Sequence, residues 1–421
     1  MKEKMETGTD LFRTEKIPKI LLKIAPPVML AQLIQAVYNI VDSFFVGQYS
    51  ANSLTALSVI YPLQLIIIAL AVGTGVGVNT YMARQYAQKF QQKAEEAAGT
   101  GMVLEFMTWL IFAVLAAVFM RPYVMTSAKS PEAIEDAVIY GRIVCIGSIG
   151  AFLEGNWTKV HQSRGNMRRP MIAQTVGALT NIVLDPIMIF GLLGCPAMGV
   201  TGAAVATVIG QCVAAVVAFT CNHKFNTEIK IHFHGFRPDI KIIGTIYAIG
   251  VPSIIMQSIG SVMTYSMNRI LIAFSSTATA VFGVYFKLQS FFFMPVFGLN
   301  NGITPIIAYN YGAQQRNRMI KTIRISLTTA FCLTFIGFLC FEGIPQVLLG
   351  MFNASDAMLK IGVPALRIIG IHYLLAWFGI ICGTVFQALG KAVFSMIVSI
   401  MRQLVVLIPA AYVLAKFGGL H

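Results

Sequence analysis

Charge is scarce in this chain. Of its 421 residues, 11% are Asp, Glu, Lys or Arg, against 57% apolar. A soluble domain carries roughly a quarter charged residues, so water is not the main solvent of this fold. Polar linkers are missing too, although a soluble chain of this length would divide into two or three domains. Seven cysteines (Cys145, Cys195, Cys212, Cys221, Cys332, Cys340, Cys382) are scattered, mostly inside apolar runs, with no CxxC or Cys/His spacing. Neither a metal centre nor a disulfide is therefore indicated. Residues 1–23 are too polar, and turn apolar too slowly, to read as a cleaved signal peptide.

What is present is apolar length. A membrane-spanning helix needs roughly 20 apolar residues, and runs such as Leu63–Val72 and Met102–Met120 recur throughout. Eleven spans are expected, near 20–47, 53–81, 95–120, 132–158, 168–191, 199–222, 241–273, 278–308, 320–343, 358–388 and 392–416. Pro27, Pro62, Pro186, Pro252, Pro295 and Pro305 fall inside them and are expected to interrupt the helices. Freed backbone groups are tolerable at such depth only beside protein or a wet cavity.

Lys and Arg accumulate in cytoplasmic loops. With the N-terminus inside, the inner segments hold 22 of the 31 Lys and Arg, and the outer ones only Arg121, Lys129, Lys360 and Lys416. The net charge of +14 thus reads as topology rather than nucleic-acid binding. A multi-pass protein of the cell membrane with a cytoplasmic N-terminus is expected.

The chain repeats itself at an offset of 225 residues. Ile24 meets Ile249, Pro27 meets Pro252, Gln32 meets Gln257, and Leu63-Gln64 meets Leu288-Gln289. Gly73 and Gly77 meet Gly298 and Gly302, Arg142-Ile143 meets Arg367-Ile368, and Gln162 and Gly165 meet Gln387 and Gly390. Matched Gln, Arg, Pro and Gly at one offset are hard to obtain by chance. The unit holds six spans, so both copies enter the membrane in the same direction, as in transporters whose halves rock about a central site. The expected division is an N-terminal lobe over 1–222, an inter-lobe cytoplasmic loop over 223–240 and a C-terminal lobe over 241–421. The sixth span starts near Gly199, so its copy is expected near residue 424, past His421. A twelfth helix, about one span's worth of chain, is expected to be missing from the sequence as it stands.

A carboxylate inside a span is costly and marks a functional candidate. Asp42, Glu105, Glu154 and Asp185 are such residues, all in the first copy; the repeat sets Met267, Ala330, Gly379 and Ala410 opposite them. Tyr38 lies four residues before Asp42, and Asn181 four before Asp185, so each pair shares a helix face. Pro186 leaves the Ile182 carbonyl without its helical donor. Thr207 follows in the next span, and Asp42, Asp185 and Thr207 all count to the outer half of the membrane. If the three helices adjoin, they enclose two carboxylates, an amide oxygen and a hydroxyl. Hard oxygen ligands suit Na⁺ or a proton, and two close carboxylates in a low dielectric readily share a proton. Glu105 stands alone, and Glu154 sits near the inner end of its span, where snorkelling to water is easy. The second copy is basic instead: Arg269, Lys287 and Arg402, with Arg367 mirrored by Arg142. Arg269 and Lys287 either bind an anionic group in a cavity or cap backbone carbonyls. Met256 and Met263, beside Gln257, offer an adaptable apolar wall.

Several local strings resemble the multidrug and toxic compound extrusion (MATE) transporters. They are Tyr38-Asn39-Ile40-Val41-Asp42, Asn181 through Asp185-Pro186, Gly202 through Thr207, Met294 through Gly302, and Tyr309 through Ala313. The resemblance implies an all-α membrane protein of two pseudo-symmetric six-helix lobes in a V. It implies an antiporter, not an enzyme, exporting drugs or other amphipathic or cationic organic compounds by alternating access against H⁺ or Na⁺. By matching position the ion site is Tyr38, Asp42, Asn181, Asp185 and Thr207, with Na⁺ possible at Asp42, Asn181, Asp185 and Thr207. The substrate cavity is expected to include Gln35, Asn156, Met256, Gln257, Met263, Arg269 and Lys287. One branch of the family carries coupling acids in the C-lobe, and here the matching helices have Gln257, Arg367 and His372 instead. Coupling is therefore assigned to the N-lobe, with H⁺ before Na⁺. No cofactor and no nucleic acid is expected; the partners are small-molecule substrates and the lipid bilayer, and the chain is expected to be a monomer. A flippase for lipid-linked saccharides or lipids is the alternative. A major facilitator protein is disfavoured, since Ala83-Arg84-Gln85-Tyr86-Ala87 stands where that fold carries Asp-Arg-x-Gly-Arg.

Overall fold

A computed structural model describes residues 12–126, 131–225, 239–272, 276–351 and 356–418. Most of the inter-lobe loop expected over 223–240 lies outside these residues. The first half holds α1 (Ile17–Tyr49), α2 (Ala51–Ala87), α3 (Gln91–Met125), α4 (Pro131–Gly147), α5 (Ile149–Ser163), α6 (Arg168–Phe190) and α7 (Val200–Phe225). The second holds α8 (Ile240–Ile272), α9 (Ser276–Gly312), α10 (Arg316–Gly343), the short α11 (Pro345–Gly350), α12 (Asp356–Gly370), α13 (Tyr373–Ala388), α14 (Ala392–Ile400) and α15 (Ile408–Gly418). A π-helical turn, Met401–Leu407, joins the last two.

Among the described residues, ten stretches are long and apolar enough to cross a membrane, and the pair α12–α13, bent by 51°, makes an eleventh. These are the eleven spans expected from the sequence. The prolines behave differently from expectation. Helices α1, α2, α6, α8 and α9 run on through Pro26, Pro27, Pro62, Pro186, Pro252, Pro295 and Pro305. A proline removes one helical bond, and neighbouring helices can tolerate that loss at depth. The real breaks fall at Ser148, between α4 and α5, and at Ile371-His372, between α12 and α13.

Two close contacts join the halves. A Cβ on Gly73 of α2 would come within 2.4 Å of Ile254 Cγ1 on α8. A Cβ on Gly298 of α9 would come within 2.5 Å of Met29 Cα on α1. Both the glycines and their partners stand 225 residues apart, so the repeat is visible as one contact made twice. Without lipid-excluding hydrophobicity to drive them, membrane helices associate through small residues that let backbones approach. Accordingly α2 packs on α8 and α1 on α9 across the halves, while α1–α6–α7–α5–α2 pack in series within the first.

The cores show how the halves diverge. One core draws on both, joining Ile24, Val78, Met82 and Val160 to Ile246, Leu299, Ile306 and Ala388 at the end that carries the basic loops. Away from that end the halves keep separate cores. One is built around Val46, Ile60, Met120, Tyr140 and Ile189, the other around Tyr285, Phe293, Phe341, Leu366 and Tyr373. Two lobes closed at one end and apart at the other make a V.

Candidate functional site

The in-span acids Asp42 and Asp185 lie near the splayed end of the first lobe. Asp42 is seven residues from the end of α1, Asp185 five from the end of α6, and Thr207 seven from the start of α7. Because α1 packs on α6 and α6 on α7, three chain-distant residues meet. Asp42, Asn181, Asp185 and Thr207 are each at most 6% exposed. Asn181 Nδ2 donates to Asp185 Oδ1 at 3.3 Å, one turn along α6, and lies 3.4 Å from Thr207 Oγ1. The Tyr38 hydroxyl is set against Thr207 and within electrostatic reach of both carboxylates. The structure thus brings Tyr38, Asp42, Asn181, Asp185 and Thr207 together. α6 carries on past Pro186 to Phe190 and stops at Gly191, whose φ of 75° suits glycine.

Oxygens are left over in this pocket. Asp42 Oδ1, Asp185 Oδ2 and Asn181 Oδ1 are buried with no hydrogen-bond partner. Buried polar atoms are normally bonded, and these three acceptors on two packed helices are left without partners. The set mixes carboxylate and amide oxygens, donors of the kind that hard cations prefer.

Two residues of the pocket had no signal in the sequence. Tyr140 of α4 is fully buried and acts electrostatically on Asp42, Tyr38 and Asp185. Gln64 of α2 donates to the Tyr140 hydroxyl at 3.2 Å. Gln64 stood out only as half of a repeat match, and neither residue shares a helix with Asp42 or Asp185.

The family model for MatE matches residues 27–187 and again 252–413. The chain belongs to the MatE family. The two matches start at Pro27 and Pro252, 225 residues apart, as the repeat does. The probable multidrug resistance protein YoeA of Bacillus subtilis is 23% identical, over 99% of this chain and 92% of its own. The multidrug export protein MepA of Staphylococcus haemolyticus is 25% identical, over 97% of this chain and 89% of its own. A solved structure described as an outward-facing conformation of a multidrug resistance MATE family transporter superimposes with a TM-score of 0.92. It is 25% identical and covers 99% of this chain and 92% of its own. The protein is accordingly a multi-pass membrane transporter and not an enzyme.

Within the MatE fold, the residues expected to line a substrate cavity differ in exposure. Asn156 is fully buried, and its Nδ2 lies 3.4 Å from the Ala98 carbonyl of α3. Met256 accepts contacts from Gln387 Nε2 at 3.5 Å and Ser395 Oγ at 3.2 Å inside the second lobe. Gln35, Gln257 and Met263 are half-buried, and Arg269 and Lys287 are exposed. Glu105 is fully buried in α3 with both oxygens unbonded. Glu154 does not simply snorkel, because Thr158 Oγ1 and Gln174 Nε2 both donate to its Oε1. A cavity of about 380 Å³ lies at the basic end, lined by Asn166, Arg168, Arg169, Ile172 and Cys221, and none of the in-span acids line it.

Proposed function

We propose that the protein is an ion-coupled antiporter that exports drugs or other amphipathic or cationic organic compounds by alternating access. The observation that carries this reading is the pair of buried carboxylates, Asp42 and Asp185, on two packed helices, each keeping an unbonded oxygen. An embedded acid pair is costly for structure alone, and one that can take up a cation gives an ion gradient a handle on α1. The coupling site is Tyr38, Asp42, Asn181, Asp185 and Thr207. H⁺ is the first choice of ion, and Na⁺ at Asp42, Asn181, Asp185 and Thr207 is the second. The multidrug names of the relatives support the cargo class.

The lobes of this antiporter span 1–222 and 241–421, a division supported by the doubled family match. The chain works as a monomer in the cell membrane with its N-terminus in the cytoplasm, following the bias of its basic loops. In that orientation the shared core closes the cytoplasmic end and the V opens outward. Substrate in this state reaches the site from outside only. Ion uptake at Asp42 and Asp185 then rearranges α1 near Pro26-Pro27.

The test is transport in proteoliposomes under imposed H⁺ or Na⁺ gradients, with a drug panel and a lipid-linked substrate side by side. Gradient-driven drug efflux that is lost in Asp42→Asn and Asp185→Asn is the expected result. Wild-type rates in both variants would sink the coupling assignment, and movement of the lipid-linked substrate alone would make the protein a flippase.

A further inference from the structure

The proposed coupling mechanism gives the buried Lys159 no task. Lys159 of α5 is 4% exposed, at the closed end of the V. Its Nζ donates across the lobes to Asn301 Oδ1 of α9 at 2.9 Å. Its own lobe supplies a carboxylate that acts on it, Glu154, five residues earlier on α5. Glu154 is held in place by Thr158 and Gln174. The Lys159 stem crosses α2 at Gly75, where a Cβ would stand 2.6 Å from Lys159 Cγ. The repeat sets Thr384 opposite Lys159 and Gly379 opposite Glu154, so neither charge belongs to the common six-helix plan. A second cross-lobe bond lies at the same end, from Arg84 Nη2 to the Ala388 carbonyl at 2.8 Å. Arg84 also stacks over the Tyr311 ring.

We propose that Lys159 is the latch of the cytoplasmic gate: it holds the lobes together through Asn301 and falls back on Glu154 when they part. A buried ammonium needs a partner in every state it visits. In the closed state an amide oxygen of the other lobe supplies it. Opening removes that oxygen, and the carboxylate that travels with Lys159 on α5 and already acts on it is Glu154. Glu154 thereby lowers the cost of opening, and Asn301 sets the stability of closure. Lys159 and Glu154 are positioning residues; neither needs to touch the cargo. The proposal rests on the alternating-access reading.

Nitroxide labels at Gln88→Cys and Gln314→Cys report the gate, in a background cleared of the seven native cysteines. Both sites are exposed, and the helix ends just before them meet where a Cβ on Gly312 would lie 3.1 Å from Ala87 Cβ. The distance distribution is measured in lipid by electron–electron double resonance, with and without ion gradients. Lys159→Met and Asn301→Leu should each raise the long-distance population relative to the short by about tenfold, the scale of a charged hydrogen bond. Glu154→Gln should lower it. A lysine that merely stabilises the fold would give the same response in Lys159→Met and Glu154→Gln. Asn301→Leu keeps Lys159 in place, so it carries the test if Lys159→Met fails to fold. Shifts of the same sign in the Lys159 or Asn301 variant and the Glu154 variant, or no shift at all, overturn the latch. A wild type that keeps one short distance under every gradient overturns the alternating-access reading and the latch with it.

Discussion

Asn181 holds one oxygen of Asp185 and leaves the other alone: Nδ2 lies 3.3 Å from Oδ1, while Oδ2 has no partner. The amide therefore orients the carboxylate without saturating it. Asn181 Oδ1 is also unbonded, so in the proposed coupling site one side chain would both position a ligand oxygen and supply another. Asn181→Leu should remove both effects. A bond from an amide to an ionised group contributes about 1.5–3 kcal/mol, so gradient-driven export in proteoliposomes should fall by at least tenfold. An Asn181→Leu rate within twofold of wild type would show that the amide is only packing.

Tyr140 and Gln64 extend the pocket to two helices, α4 and α2, that carry neither Asp42 nor Asp185. Tyr140→Phe keeps the ring in its buried place and removes the hydroxyl that accepts the Gln64 amide. A buried donor left without its partner costs about 1–3 kcal/mol. The thermal midpoint in detergent should drop, and the Tyr140→Phe, Gln64→Leu double variant should recover part of the loss, because neither polar group is then stranded. Additive losses in the double variant would refute the pairing.

The glycine contacts between lobes make a sharp contrast with a glycine in open space. Gly73→Ala and Gly298→Ala each place a methyl against backbone as well as side chain, at Ile254 and Met29. Overpacking of this kind costs about 1–3 kcal/mol. Gly260→Ala on α8 meets nothing within 4 Å and should be neutral or gain up to about 1 kcal/mol in helix propensity. Thermal unfolding of the three variants checks the order. Equal midpoints for all three would mean that the lobes do not meet through these glycines.

Much of this was readable from spacing, and the reasons are physical. Tyr38 with Asp42, and Asn181 with Asp185, each sit one helical turn apart, so a shared face follows from the period alone. The repeat was readable because Gly73 and Gly298 make the same contact in each copy and leave the same residue behind. Tyr140 and Gln64 were not readable, since they reach the acids only through tertiary packing of α4 and α2. The bond from Lys159 to Asn301 spans 142 residues and two lobes, beyond any local pattern. Prolines misled as expected sites of interruption, because a proline loses one bond and the surrounding helices can hold the rest. The breaks at Ser148 and Ile371-His372 carry no such marker.

The acid pair itself yields the most discriminating prediction. Asp42 and Asp185 come from different helices, yet Asp42 lies close enough to act on Asp185 electrostatically. Residues that act as one unit lose function non-additively: either removal costs nearly as much as both. Asp42→Asn and Asp185→Asn should each bring gradient-driven export to the passive leak, and the double variant should be no worse than either. Carboxylates serving two separate ions would instead give partial, multiplying losses. The asparagine amides preserve volume, so folding should hold, which size-exclusion and thermal profiles of the same preparations verify. Measured with H⁺ and then with Na⁺ as the only gradient, the same three variants also identify the ion. The gradient whose effect vanishes in all three is the one this pocket couples.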